Sequence, residues 1–152
     1  MRFHARMDDT DPRNGSRARP FGPGERIHDE HALLACVRSL VQQGIVHRLW
    51  ILLVDEHGAM LPRLQQIDGT PVSPDAYAVM ALRRILDVVA APDVEVAFVL
   101  ERPGGGRPTP DDWAWHDAVV RAARAQAVPL RGVLLAHGAG VDLLEPPRTL
   151  AA

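Results

Sequence analysis

The stretch that decides the fold runs Val94-Glu95-Val96-Ala97-Phe98-Val99-Leu100, then Glu101-Arg102-Pro103-Gly104-Gly105-Gly106-Arg107-Pro108, then Thr109-Pro110-Asp111-Asp112. Five of the first seven residues are Val, Phe or Leu, which predicts a buried strand. The glycine-rich middle is a loop. Thr109 then offers a helix cap, Pro110 fits the first helical position, and Asp111 and Asp112 suit the positive end of the helix dipole. Thr109 with Asp112 approximates a capping box with a shorter acid. A strand, a helix to about Ala127 and a further apolar run from Pro129 to Ala136 make a β-α-β unit, whose helical crossover demands parallel strands.

Upstream the pattern changes. His47 to Asp55 holds Leu49, Trp50, Ile51, Leu52, Leu53 and Val54, a central strand. Glu56, His57 and Gly58 turn it into a second strand around Ala59 to Gln66, a hairpin. After the turn Asp68-Gly69-Thr70-Pro71, Ser73 as cap and Pro74 at the first position predict a helix to about Ala91 that shows Val79, Leu82, Ile85, Leu86 and Val89 to the core. A first helix is expected from Asp29, with Leu33, Leu34, Val37, Leu40 and Val41 on its apolar stripe and Gly44 as its stop. In the last helix Trp113, Val120 and Ala123 fall on one face. His137-Gly138-Ala139 is expected to turn the chain into a short fifth strand, Gly140 to Leu144. The fold expected is α/β: a single three-layer domain over residues 27–146, its mixed sheet built in the order α-β-β-α-β-α-β-β. Residues 1–26, with six arginines, four acids and no apolar run, read as a disordered tail, and 147–152 as a flexible C-terminus.

The 152 residues carry 17 basic and 19 acidic side chains, and every basic one is arginine. Lysine Schiff-base and P-loop chemistry are therefore excluded. A net charge of −2 lacks the basic footprint that nucleic acid or an anionic membrane surface requires, so neither is the expected partner. No run approaches the roughly 20 apolar residues of a membrane span, and the first residues lack the apolar centre of a secretory signal, so a cytoplasmic location is expected. Cys36, the single cysteine, lies on a helix stripe and reads as a small buried hydrophobe.

Several of these segments together resemble the RadC-like branch of the JAB/MPN domains. The likeness rests on Leu53-Val54-Asp55 with Gly58, on Gly69-Thr70 before a helix, on the Arg102 to Pro110 loop, and on Gly132-Val133-Leu134-Leu135 with Gly138 and Gly140; it spans about residues 29–145. Its most specific piece is the Pro-(small)-Gly-x-Pro-Thr-Pro loop ahead of an acidic helix start. The resemblance implies a metal-dependent hydrolase fold, with zinc held by His-x-His at the end of the third strand and by an Asp early in the next helix, and a Glu near the first strand as general base. Three protein ligands leave the fourth zinc position for the water that the metal acidifies.

Carried over position by position, the implied ligands are missing. The histidine places fall on Leu100 and Arg102, or in the other register on Glu101 and Pro103. The serine place falls on Asp111 and the aspartate place on Ala114, with Asp112 and Asp117 off register. No carboxylate stands near Val46 to Arg48, the base position. An arginine near the metal position would repel zinc. The expectation is a non-catalytic pseudoenzyme that acts as a protein interaction module, binding a protein partner or self-associating, with no metal and no cofactor. The alternative is a hydrolase with a relocated site around Glu101, Asp111, Asp112 and His116.

The candidate partner or ligand surface comprises Glu101, Arg102, Arg107, Asp111, Asp112, Trp113 and His116. Trp113 and Trp115 are two apart and cannot both enter the core; one exposed beside Arg102 and Arg107 has the composition of an interface hot spot, and an indole packed over the loop is the equal alternative. Gly104 to Gly106 precede a helix N-terminus and suit either anion binding or a plain loop. His116 reads as packed on an aromatic ring, His137 as exposed in its turn, and His28 and His31 as solvated at a helix end.

Overall fold

The computed structural model describes residues 26–41 and 44–146. The elements follow one another as α1 (Glu30–Leu40), β1 (Arg48–Val54), β2 (Met60–Asp68), α2 (Ala76–Val89), β3 (Glu95–Glu101), α3 (Pro110–Ala125), β4 (Leu130–His137) and β5 (Gly140–Leu143). This is the expected element order. The tail, apart from Arg26, and the C-terminal segment lie outside the described residues. Arg26 itself bridges Ala59, and Ile27 beside it is fully buried.

The five strands lie in the order β2-β1-β3-β4-β5. β1 runs antiparallel to both neighbours, β3 and β4 are parallel, and β4 and β5 form the closing hairpin. β2 and β3, joined by α2, therefore run in the same direction with β1 inserted between them. Alternation along the strands divides the core in two. Leu49, Ile51, Phe98, Leu100, Val133 and Leu135 face α2 and α3, while Trp50, Leu52, Val54, Val99, Leu134 and Ala136 face α1 and Ile27. Helices on both faces make three layers. Each fully buried Leu or Phe of this kind contributes about 1.5–3 kcal/mol.

Several boundaries differ from expectation for identifiable reasons. α2 is capped by Asp75, whose Oδ1 accepts from Ala78 N at 2.7 Å, not by Ser73. The Trp115 indole donates to the carbonyls of both Pro71 and Val72 (3.1 Å each) and ties down the segment just ahead of Ser73, which stays outside the helix. α1 ends at Leu40 with Val41 already extended, so Gly44 is not its stop. Gly44 is instead a point of close approach: a Cβ there would lie 2.3 Å from the Arg102 carbonyl oxygen and 2.7 Å from that of Ala136. α3 ends two residues early, before Ala127 in the left-handed region (φ 51°). Its buried face is Trp115, Ala118, Val119 and Ala122, at helical spacing, with Ala123; Trp113 and Val120 only flank it.

Among the described residues no helix is long and apolar enough to cross a membrane.

Candidate functional site

The strand directions bring four connections to one end of the sheet: the entry to β1, the exit from β2, the β3–α3 loop and the β4–β5 turn. Parallel strands β3 and β4 both finish there, the end at which open α/β sheets place their ligands. A cleft of about 380 Å³ opens at this end, its apolar lining formed by Leu49, Leu100 and Trp115 and its rim by His47, Arg48, Thr70, Val72, the Arg102–Arg107 loop and Asp111. A second recess of about 350 Å³ lies across Pro71 and shares Leu49, Thr70 and Trp115 with it.

Arg102 organises the wall of the cleft. Its Nε and Nη2 donate to the two carboxylate oxygens of Asp112 (2.8 and 2.7 Å). Nη1 donates to the carbonyls of Pro103 (3.0 Å) and Gly105 (2.8 Å), and Nη2 also to that of Arg107 (3.2 Å). A guanidinium carries five N–H donors, and all five are satisfied within eleven residues of chain. Asp112 in turn completes the capping box expected from sequence: Oδ2 accepts from Thr109 N (2.8 Å) and Asp112 N donates to Thr109 Oγ1 (3.2 Å). Burial pushes the Asp112 carboxyl up, but the Arg102 and Thr109 hydrogen bonds and the Arg102 charge outweigh it and hold the group below its ordinary value.

The glycine-rich loop thus turns carbonyl oxygens toward a cation. An anion site would need amide N–H groups on that side instead.

Glu101, at the end of β3, is buried on the α1 side of the sheet. Its Oε1 accepts from the Trp50 indole at 2.9 Å and lies 3.6 Å from Arg48 Nη1, and its Oε2 receives the Ile45 and Val46 amides at 3.4 and 3.5 Å. Arg48 also pairs with Asp68 and lies over the Trp50 ring, 5.5 Å from its centroid. Trp50 and Arg48 were not among the residues expected from sequence; their alternation onto the same face as Glu101 was the only signal.

The remaining expected site residues divide. Arg107 is exposed at the rim and Asp111 half-buried in it. Trp113 is half-buried and meets the His116 ring edge-on at 5.7 Å, so it is packed locally and Trp115 is the tryptophan at the cleft. His116 does not line the cleft, and its Nδ1 is buried without a hydrogen bond. His137 is buried, contrary to the exposure expected of a turn residue, because β4 extends through it. The Ala139 amide donates to its Nδ1 (3.2 Å), which leaves the ring hydrogen on Nε2, 2.7 Å from Asp142 Oδ2. Gly106 lies directly against that ring. His28 and His31 are exposed.

These residues do not fit a catalytic zinc. Both oxygens of Asp112 are bound to the permanently charged Arg102 guanidinium, and Glu101 is held by the Trp50 indole. Among the described residues no three His, Cys, Asp or Glu side chains cluster as metal ligands. What the end of the sheet does offer is a preformed apolar cleft with exposed apolar residues beside it, Ile45 (69% exposed), Val46 (41%) and Val72 (57%). No known family model, curated protein or solved structure matches the chain.

Proposed function

We propose that this chain is a non-catalytic domain of the RadC-like JAB/MPN type whose cleft end serves as a protein interaction surface, for a protein partner or a second copy. One observation carries the reading: Arg102, which in one register stands at a histidine place of the resembling family, is locked to Asp112. A pair with side chains 13% and 5% exposed is costly to open, so it does not yield to an incoming ion. Val72 in the cleft lining and the exposed Ile45 and Val46, next in the chain to the rim residue His47, supply apolar groups for the recognition surface. Arg107 and Asp111 at the rim supply one charge of each sign for orientation.

The relocated-hydrolase reading receives less support. Glu101, Asp111 and Asp112 border one cleft, but two of them are engaged in structural hydrogen bonds and His116 lies outside it. A cytoplasmic setting and indifference to nucleic acid belong to the same proposal. The test is the zinc content of the purified full chain: the expected value is far below one ion per chain, and stoichiometric, tightly held zinc overturns the reading.

A further inference from the structure

Asp112 and the 103–107 loop do something no separate acidic cluster or glycine loop does: five oxygen acceptors converge on one planar cation. Two are the Asp112 carboxylate oxygens and three are main-chain carbonyls, all 2.7–3.2 Å from the guanidinium nitrogens. Three carbonyls pointing inward repel one another unless a cation lies between them. Gly104 has a positive φ (98°) between two of these acceptors, a backbone conformation that costs other residues free energy.

We infer that this loop and Asp112 form a receptor for a guanidinium group, filled from within by Arg102, and that the wall of the cleft keeps its shape only while the receptor is filled. The fork of five fixed donors matches the five acceptors; a lysine ammonium, with three donors around a point charge, does not. Arg102 is then a positioning residue: it does for this loop what an exchangeable ion does in a metal-built site, without dependence on ion supply. Gly138 N donates to the Gly104 carbonyl at 2.8 Å, and Gly106 rests on His137. Filling the receptor therefore also sets how the loop meets the β4–β5 turn. The inference stands apart from the interaction reading, since zinc content can come out either way without deciding it.

The experiment uses the full chain carrying Arg102→Ala, with hydrogen exchange of the Gly138 amide, which donates to the Gly104 carbonyl, as readout. Losing the guanidinium is expected to speed exchange there by at least about tenfold, the equilibrium equivalent of one charge-assisted hydrogen bond. Guanidinium chloride at about 10–50 mM, well below the molar range of denaturation, is expected to restore slow exchange. Sodium chloride at equal ionic strength, neutral urea and calcium chloride are expected not to restore it. Rescue by any of these as effective as guanidinium, or an unchanged exchange rate in the variant, overturns the inference. Should Arg102→Ala fail to fold, Arg102→Lys retains the charge and supplies the test: faster exchange at the Gly138 amide supports the receptor, and wild-type exchange refutes it.

Discussion

At one end of the sheet the turns bury ionisable groups, and at the other they do not. The cleft end encloses Glu101, Asp112 and His137, three of the four buried polar side chains among the described residues, and ties them to Trp50, Arg102 and Asp142. The far end uses local turn chemistry. There Asp55 Oδ1 accepts from the His57 and Ala59 amides at 2.9 Å each, an Asx turn, and the pair Arg131–Glu95 remains partly open to solvent at 24% and 37% exposure. Turning the chain does not require buried charge. Desolvating three ionisable side chains costs free energy that the far end avoids, so their concentration at the cleft marks the end where wall geometry is under constraint.

The largest expected effect breaks this contrast at its centre. Asp112→Ala leaves the Arg102 guanidinium buried without its carboxylate and removes the α3 capping box, which should destabilise the fold by about 3–5 kcal/mol in urea unfolding. Glu95→Gln at the far end should cost less than about 1 kcal/mol, as for exposed pairs. Equal losses from the two substitutions would erase the distinction between the ends.

The next effect concerns contact rather than charge. Gly44→Ala places a Cβ against two main-chain oxygens that cannot move aside, those of Arg102 and Ala136, at 2.3 and 2.7 Å. A cost of about 3 kcal/mol follows from such overpacking. Gly69→Ala, in the β2–α2 turn, meets nothing within 4 Å and suffers only its left-handed backbone (φ 69°), about 1 kcal/mol. Thermal unfolding of the two variants measures the difference, and the contact account fails if Gly69→Ala is the worse.

How far these features were legible follows from their range. The capping box at Thr109 and Asp112 was readable because both members lie within one helical turn and local rules govern them. β1 and β3 were legible as buried strands from their unbroken apolar runs, whereas the division of those runs between the two faces was not read from them. Gly44 was misread as a helix stop because the groups that require glycine there come from residues 102 and 136, distant in sequence. His137 was misplaced because a turn and the last residue of a strand carry the same composition. Arg102 stood out in the sequence as a cation beside a glycine-rich loop, and its five acceptors depend on how that loop bends back, which no residue type specifies. The Ser73 to Asp75 error is of the same kind: both residues are competent caps, and the choice is made by an indole 40 residues later.

The smallest effect is one of pH, and it separates the charge of Asp112 from its shape. Its folded carboxyl lies below the ordinary value of 3.8 because the Arg102 and Thr109 bonds outweigh the upward push of burial. A carboxyl depressed on folding adds stability that is complete above its unfolded value and is lost as pH falls through the folded one. Asp112→Asn keeps the outline but cannot ionise. The gap in unfolding free energy between wild type and this variant should therefore be constant above about pH 5 and shrink below about pH 4. Glu95→Gln supplies the far-end comparison in the same titration. A gap at Asp112 that holds steady or widens on acidification would mean that Arg102 is retained by the loop carbonyls alone, and the cleft end would then owe its shape to hydrogen bonding without the ion pair.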